Sequence, residues 1–289
     1  MDGILLIDKN EGISSFETIE KVKLKLGLKK IGHAGTLDPF ATGLLIACTD
    51  RATPLTQIFL ECDKLYETDI VFGEKRETDD ITSEVKEKSP YIPSLEEVET
   101  ALKDFIGEIL QTPPKYSAIK INGQRAYKIA REGKDPILKP RKVTLYSAKI
   151  IDYKKPVLKL LIHCSSGFYI RSLARDLGEK LKTFGYVASL KRKKIGKFEL
   201  SNAKKIEEIT INNIIKVENA TDFLPEYKIT EKEKNFLIKN NKINLNDKTI
   251  NNYQRVYDLD IFLGIINKEG SFIYRDPNFL EKLKKQGIN

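Results

Sequence analysis

The apolar positions of the chain fall into short blocks whose spacing switches repeatedly between strand-like and helix-like. Residues 3–7 (GILLI) form a continuous apolar run that predicts a short buried strand. Ser14 followed by Glu17 is a capping box, which predicts the start of an amphipathic helix over 15–27. The segment 31–43 holds three glycines and a proline, and this composition predicts a loop.

The same mixture continues along the chain. Ser94 with Glu97 predicts a second capped helix, over 95–106. The remaining pattern predicts helices over 51–62 and 169–183, strands over 64–73, 142–153 and 156–165, and a basic strand or loop over 188–199. Because strands and helices mix without a regular βαβ period, the pattern favours an α+β fold over a doubly wound sheet.

Two segments differ from this main body. Residues 112–140 begin with Thr-Pro-Pro and end at Pro140, and they contain a strand-like KYSAIKI, a turn at Asn122-Gly123 and a helical AYKIAREG. We expect this segment to be an excursion from the core. The tail from 226 carries short β-like runs such as DLDIFLGII, which predict a small β-rich domain.

Charge adds a first indication of the partner. The chain has 50 basic and 41 acidic residues in 289, which gives a net charge of +9 and a pI near 9.1. Such an excess favours polyanions, because lysines and arginines that neutralise phosphates release condensed counterions.

Cysteine spacing indicates a reducing compartment, and the lengths of the apolar runs bear on whether the chain is exported or crosses a membrane. The three cysteines lie far apart and form no C-x-x-C pair, which argues against a disulfide framework and against a zinc site. Asp8 and Lys9 interrupt the first apolar run, so no leader peptide is predicted, and no run is long enough to cross a bilayer. We therefore expect a cytoplasmic protein.

The loop GHAGTLDPFATG contains the first candidate for chemistry. It holds a single carboxylate, Asp38, whose backbone is restricted by Pro39 and whose flanking glycines permit close approach to a ligand. An aspartate that only caps a turn is the alternative. The sequence lacks the G-K-[ST] of a phosphate-binding P-loop. Phe40 stands where an aspartyl-phosphate phosphatase would need its second acid.

Three further features add to this candidate site. Arg171 follows Tyr169 at the start of a predicted helix, where an arginine can hold a carboxylate through two hydrogen bonds and keep it ionised. Tyr66 lies in a predicted strand, where packing alone would also explain it. Five of the seven residues over 191–197 are basic, which indicates a solvated face or, beside an RNA site, a grip on phosphates.

Taken together, these stretches resemble the TruB family of tRNA pseudouridine synthases, which modify uridine 55 of the T loop. The resemblance runs from residue 3 to about 200 and comprises five motifs in order. They are GILLIDK-x-x-G-I-S-S at 3–15, GHAGTLDPFATGLL at 32–45, KLYE at 64–67, QTPPKYSAIK at 111–120 and SGFYIRSLARDLG at 166–178.

The resemblance assigns expected roles to individual residues. Asp38 matches the nucleophile, and Arg171 matches the arginine that pairs with it. Tyr66 matches the tyrosine that stacks on the target base and is positioned to remove the C5 proton, and Leu190 matches the apolar residue on the other face. His33 matches a histidine that enters the RNA where the base has left.

The resemblance also adds residues expected to bind the RNA. Lys9 matches a lysine of the first motif, although Asn10 replaces the proline that usually follows it. The remaining expected RNA contacts are Tyr169, Lys191, Arg192 and Lys194.

The implied chemistry requires neither a metal nor an organic cofactor. The target base must be flipped out of a folded loop, and a carboxylate nucleophile divides one difficult step into two. Attack at C1′ of the ribose, attack at C6 of the base and a glycal route all remain open.

The resemblance further implies a mixed-sheet catalytic domain over 1–225 with a thumb-like insertion over about 113–140. Residues 226–289 would form a small PUA-like domain that adds RNA affinity but no chemistry. We expect a monomer without an obligate protein partner. Two alternatives are an RNA-guided H/ACA-type synthase acting on rRNA and a catalytically idle tRNA-folding chaperone. The KINGQRAYKIAREG stretch, the short chain and the joint presence of Asp38, Tyr66 and Arg171 favour the stand-alone enzyme.

Overall fold

A computed structural model describes residues 1–121, 123–240, 242–243 and 252–285 of the chain. The strands are β1 (Gly3–Lys9), β2 (Ile31–His33), β3 (Thr42–Thr49), β4 (Lys64–Phe72), β5 (Glu74–Arg76), β6 (Val85–Lys88), β7 (Gly107–Gln111), β8 (Lys120–Ile121), β9 (Gln124–Arg125), β10 (Arg141–Lys154), β11 (Val157–Cys164), β12 (Gly185–Ile195), β13 (Phe198–Glu199), β14 (Glu226–Lys228), β15 (Tyr253–Asp258), β16 (Ile261–Asn267) and β17 (Phe272–Arg275).

Helices cover the sheets and connect their strands. The α-helices are α1 (Ser15–Leu26), α2 (Thr56–Glu61), α3 (Leu95–Lys103), α4 (Ala126–Arg131), α5 (Ile170–Lys180), α6 (Val217–Ala220), α7 (Glu231–Asn240) and α8 (Phe279–Lys285). Short 3-10 turns lie at Asp50–Leu55, Leu200–Asn202, Ile206–Glu208 and Ile211–Asn213. Within the described residues, no helix is long and apolar enough to cross a membrane.

A mixed sheet of nine strands organises the larger part of the described chain. Its main path runs β1-β3-β12-β4-β11-β10-β7, with β2 beside β3 and β13 beside β12. Neighbouring strands are antiparallel except for β3 and β12, which pair in parallel through only two positions, Thr42 with Lys191 and Gly43 with Arg192. The α+β prediction is confirmed, because the connections are not those of a doubly wound sheet.

Separate apolar clusters pack against the two ends of the sheet. Alternate residues of β4 are buried, as expected for a strand with one face on a core. That face packs against α3 and α5 through Leu102, Leu173 and Leu177. At the other end of the sheet, Ile19 of α1 covers Leu45 of β3.

The predicted helix starts agree with the structure. Ser14 and Ser94 both cap their helices, and each makes the reciprocal hydrogen bonds of a capping box with the glutamate three residues later. Some element bounds were predicted wrongly. The loop predicted over 31–43 begins with β2, because Ile31–His33 pairs with β3. The helix predicted over 95–106 ends at Lys103.

The excursion over 112–140 leaves the sheet after β7 and returns to it as β10. The strand predicted over KYSAIKI is reduced to β8, which pairs with β9 in a two-stranded ribbon followed by α4. The predicted turn includes Asn122, which lies outside the described residues, and Gly123, whose φ of +86° favours glycine.

The tail forms a separate four-stranded sheet, β14-β15-β16-β17. It has a small core of its own, which includes Leu237, Val256 and Leu263. Its opposite face is also covered, because Phe262 and Tyr274 join the apolar cluster that contains Phe59 of α2. The tail is therefore packed against the larger sheet through buried aromatic rings.

Because the tail shares this apolar cluster with the larger sheet, we expect substitutions in it to lower the free energy of unfolding. Phe262 is buried, and its ring centroid lies 5.6 Å from that of Tyr257. Phe262→Ala should lower the free energy of unfolding by about 3–5 kcal/mol, because a cavity replaces the ring. Urea denaturation followed by circular dichroism measures the change. Phe16→Ala, at a ring that is 64% exposed, should shift stability by less than about 0.5 kcal/mol. Similar small effects for both variants would contradict a shared core.

Candidate active site

A cavity of about 250 Å³ opens over the paired strands β4 and β12, beside the loop that precedes β3. The loop before β3, the strands β4 and β12, the start of α5 and the insertion all contribute side chains to its wall. The polar and aromatic residues among them include Asp38, Lys64, Tyr66, Ser117, Tyr169, Arg171 and Arg192, and Leu190 is one of the apolar ones. Segments far apart in sequence therefore converge on this central cavity.

Asp38 and Arg171 form a two-pronged ion pair in the central cavity. Nε of Arg171 lies 3.0 Å from Oδ2 of Asp38, and its Nη2 donates to Oδ1 at 3.2 Å. The arginine side chain is 5% exposed, whereas the aspartate side chain is 31% exposed and remains open to the cavity. Burial raises the pKa of Asp38, and the positive charge of Arg171 opposes that rise. The pair therefore presents an oriented carboxylate to any ligand that enters.

A second carboxylate, Asp80, holds the other side of the same guanidinium. Its Oδ2 lies 3.3 Å from Nη1 of Arg171, and its Oδ1 accepts from Thr78 Oγ1 at 2.6 Å and from the Thr82 backbone N–H at 3.0 Å. The arginine also donates to the carbonyl oxygens of Thr78 and Tyr116. Every edge of this buried guanidinium therefore has an acceptor, as a buried cation requires.

The N-terminal segment holds the backbone of the Asp38 loop through hydrogen bonds to Leu37 and Pro39. The hydroxyl of buried Ser15 donates to the Leu37 carbonyl at 3.0 Å and accepts from the Leu37 N–H at 2.8 Å. Nζ of Lys9 donates to the carbonyl oxygens of Asn10, Ile13 and Pro39 at 2.8, 2.7 and 3.3 Å. Burial lowers the pKa of Lys9 to about 8.

The expected contact of Lys9 with RNA stays a prediction. In the structure its side chain is fully buried and its three ammonium protons meet three backbone carbonyls, so it supports the Asp38 loop. Asn10, which replaces the family's proline, accepts a hydrogen bond from Lys205 through its side chain at 2.8 Å. The asparagine at this position thus adds a contact between the Asn10 side chain and the residue that precedes the 3-10 turn Ile206–Glu208.

Tyr66 and Leu190 lie on neighbouring strands of the cavity wall and are both buried. Burial raises the pKa of the Tyr66 phenol, while the nearby positive charge and hydrogen bond of Arg192 oppose the rise. Tyr169 lies at the start of α5, where the side chain of Gln111 bonds both its N–H and its carbonyl at 2.8 and 3.1 Å. These three side chains give the cavity aromatic and apolar walls.

The basic run does not behave as one surface. Lys191 is exposed, and Lys194 is 41% exposed with Glu199 at 3.3 Å. Arg192 is 1% exposed and donates to the carbonyls of Leu44 and Gly35 at 2.7 and 3.0 Å. The expected contact of Arg192 with RNA stays a prediction, and the side chain that would make it points into the molecule and lines the central cavity.

Strand alternation explains why Arg192 faces inward, because it lies two residues after buried Leu190 and opposite buried Tyr66 of β4. A β-bulge between Arg192 and Lys194 shifts the alternation only in the residues that follow. On the other side, Gly43 faces the Arg192 backbone with φ at +100°, and a Cβ there would lie 2.4 Å from the Arg192 carbonyl. Only glycine permits this approach of β3 to β12.

His33 ends β2 and does not line the central cavity. Among the described residues its buried Nδ1 has no hydrogen-bond partner, and burial together with the charges of Arg192 and Arg125 lowers its pKa. Arg125 belongs to the insertion, so the charge of that segment reaches the His33 ring.

Among the described residues, no group of three or more His, Cys, Asp or Glu side chains is arranged to hold a metal ion.

Comparisons with known proteins agree with this geometry. Residues 23–170, just over half of the chain, match the model of the TruB family pseudouridylate synthase N-terminal domain. A tRNA pseudouridine synthase B of Borreliella burgdorferi is 40% identical over 246 residues, which cover 84% of each chain. The enzyme of that name from Aquifex aeolicus is 37% identical over 280 residues, covering 94% of this chain and 98% of the relative.

The chain belongs to the TruB family.

Solved structures with a similar fold show which architecture this chain has. The crystal structure of a Cbf5-Nop10-Gar1 complex contains a chain with a TM-score of 0.69 at 21% identity, covering 92% of this chain and 78% of that one. An archaeal box H/ACA sRNP Nop10-Cbf5 complex gives 0.68 at 20% identity, with 93% and 79% covered. The chain thus has the pseudouridine-synthase core with its insertion, followed by a small PUA-like β domain.

The sequence pattern did not reveal several residues that shape this TruB-family site. Asp80 lies in a polar stretch, TDDITS, whose only signal is a pair of adjacent aspartates flanked by threonines. Its loop reaches the site because the backbone of Asp79 and Ile81 bonds to Val187 of β12. Lys64 was part of a recognised motif, but nothing in the motif indicated that its ammonium lines the cavity.

The contact between Asp80 and Arg171 makes a testable prediction. Asp80→Asn should reduce the single-turnover rate of pseudouridine formation by about tenfold to a hundredfold, because an incorrectly held Arg171 misplaces the Asp38 carboxylate. Asp69→Asn is the matched control, since Asp69 lies on the outer face of β4 and bonds Ser189 at 2.7 Å. A wild-type rate for Asp80→Asn would show that Arg171 needs no second acid.

Proposed function

We propose that this TruB-family enzyme isomerises uridine 55 in the T loop of tRNA to pseudouridine, with Asp38 as its nucleophile. The curated relatives named tRNA pseudouridine synthase B support tRNA as the substrate. The two-pronged ion pair of Asp38 with Arg171 is the observation that supports the assignment of the nucleophile.

The size and lining of the cavity suit a single flipped base. A base must leave its stack before its glycosidic bond can be reached, and enzymes of this kind hold it in a close-fitting pocket. Tyr66 would stack on one face of the uracil and Leu190 would contact the other. His33, next to the insertion, would fill the space that the base leaves in the RNA.

The chemistry follows from an oriented, desolvated carboxylate. Asp38 attacks C1′ or C6, or assists a glycal route, while Arg171 keeps it ionised and directed. The detached uracil turns between its two walls and C5 joins the ribose. Tyr66 is protonated at neutral pH because burial raises its pKa, so removal of the C5 proton requires it to release its own proton first.

RNA binding would use a larger surface than the cavity. The insertion over about 113–140 would hold the T loop, and Tyr169 would line its path to Asp38. Lys191 and Lys194 would contact phosphates at the mouth of the cavity. Residues 1–225 would form the catalytic domain and 226–289 an RNA-binding domain. The enzyme would act as a cytoplasmic monomer without a protein partner.

A single assay separates this function from the alternatives. Purified protein is incubated alone with unmodified tRNA, and pseudouridine is then mapped. Modification at position 55 without added guide RNA or protein supports the stand-alone enzyme. Modification of rRNA only with guide partners would instead support an H/ACA-type enzyme, and tRNA refolding without modification would support a chaperone.

The ion pair predicts separate effects on chemistry and binding. Asp38→Asn should abolish pseudouridine formation while tRNA binds with near-normal affinity, because binding is spread over many phosphate contacts. Arg171→Lys should be severely impaired, since a point charge cannot reproduce the two-pronged geometry. Single-turnover assays and filter binding measure both effects. Substantial turnover by Asp38→Asn, free of wild-type carry-over, would exclude Asp38 as the nucleophile.

The exposed lysines of β12 predict a change in salt dependence. Lys191→Ala should reduce the log–log slope of tRNA affinity against salt by about one unit, because one phosphate contact is lost. Lys194→Ala should have a smaller effect, since Glu199 already neutralises part of that charge. Lys154→Ala, at an 85% exposed side chain of β10, is the control. Equal slopes for the Lys191 and Lys154 variants would place the run outside the RNA interface.

A further inference from the structure

Lys64 is a buried cation in the wall of the central cavity that the ion pair of Asp38 does not use. It is 6% exposed and begins β4. Because successive side chains of a strand alternate, Lys64 and Tyr66 point to the same face of the sheet. Lys64 is therefore adjacent, on one face of β4, to Tyr66, which is proposed to stack on the base.

The hydrogen bonds of Lys64 leave part of its ammonium group available. Its Nζ donates to the carbonyl oxygens of Leu60 at 2.6 Å and Cys62 at 2.5 Å, where α2 ends. Within the described residues, no carboxylate forms an ion pair with it. Lys9, by contrast, meets three carbonyl oxygens, so two buried lysines of the same site differ in their remaining donor capacity.

The electrostatic setting makes this lysine unusual. Burial and the positive charge of Arg192 lower the pKa of Lys64 to about 8. A desolvated cation beside a second cation is unfavourable in the empty protein. The arrangement becomes favourable when a ligand brings an acceptor atom that carries negative charge into the cavity, and such perturbed groups cluster at functional sites.

We propose that Lys64 donates a hydrogen bond to a carbonyl oxygen of the flipped uracil and stabilises the negative charge that the ring acquires during isomerisation. The proposal rests on the proposed function. It makes Lys64 a catalytic residue that acts as an electrostatic stabiliser, as oxyanion-hole donors do in acyl transfer.

All three open routes create this charge on the base. With attack at C1′, the C1′–N1 bond breaks, its electron pair delocalises over N1 and the carbonyl oxygens, and an Asp38 oxygen bonds C1′. With addition of Asp38 to C6, the pair of the C5=C6 bond moves onto O4 as an enolate. In the glycal route, Asp38 takes the ribose H2′ and the C1′–N1 pair again leaves with uracil. Re-addition of C5 to the sugar removes the charge.

The experiment compares Lys64→Met and Lys64→Arg with wild type in single-turnover reactions at saturating enzyme. Lys64→Met should lower the rate of pseudouridine formation by about 10²–10³-fold with little change in tRNA affinity, as expected when one stabilising donor is removed. Lys25→Met is the control, because Lys25 also donates to two backbone carbonyls but lies far from the cavity. Thermal melting of each variant checks that it is folded.

A pH profile and chemical rescue separate catalysis from a purely structural role. In wild type, kcat/KM should fall as pH rises through about 8, because the free enzyme then loses the ammonium charge. Lys64→Arg should move this alkaline limb to higher pH. Methylammonium should partly restore the rate of Lys64→Ala.

Three outcomes would overturn the proposal. A Lys64→Met variant with a wild-type rate at saturation but weakened affinity would make Lys64 a phosphate contact. A slow variant with an unshifted alkaline limb and no rescue would make it a support for the end of α2. A wild-type rate and affinity would leave it no role in the reaction. Failure of the proposed function is distinguishable, since wild-type protein would then form no pseudouridine in tRNA.

Discussion

The site depends on one requirement, that a carboxylate inside a cavity must keep its charge and its direction. Removing Asp38 from water favours its protonated form, and Arg171 opposes this with two contacts from a fixed planar group. The arginine must itself be compensated, and Asp80 with two backbone carbonyls completes its surroundings. The Asp38 loop, the loop after β5, the insertion and α5 are thereby tied to one guanidinium.

The sheet supplies the position at which these segments meet. β12 runs antiparallel to β4 along most of its length but touches β3 in parallel at only two positions, so the two halves of the sheet diverge there. Gly43 permits that contact, and the buried side chain of Arg192 crosses beneath it to the Gly35 carbonyl. The central cavity lies beside this junction, over the paired strands β4 and β12 and next to the Asp38 loop, so its wall includes both Asp38 and the buried Arg192.

Local signals in the sequence were sufficient for much of the fold. Ser14 and Ser94 predicted the starts of their helices correctly, because a capping box involves only residues that are three positions apart. The motif containing Asp38 and the one containing Arg171 indicated a site, but not the partner Asp80, since that contact joins residues 91 positions apart in a loop without periodicity. Arg192 faces inward by alternation with buried Leu190, but a basic run gives no local signal that one of its arginines is buried.

The distribution of buried charge explains why the empty site is costly and the occupied one is not. Lys9, Lys64, Arg171 and Arg192 are all buried around or behind the cavity, against the carboxylates of Asp38 and Asp80. Burial lowers the pKa of both lysines to about 8 and the charge of Arg192 acts in the same direction, which records the cost of removing these ammonium groups from water. Under the role proposed for Lys64, the negative charge that the uracil ring acquires during isomerisation would relieve that penalty. Binding of the neutral base would gain less, so the same charges would stabilise the transition state more than the bound substrate.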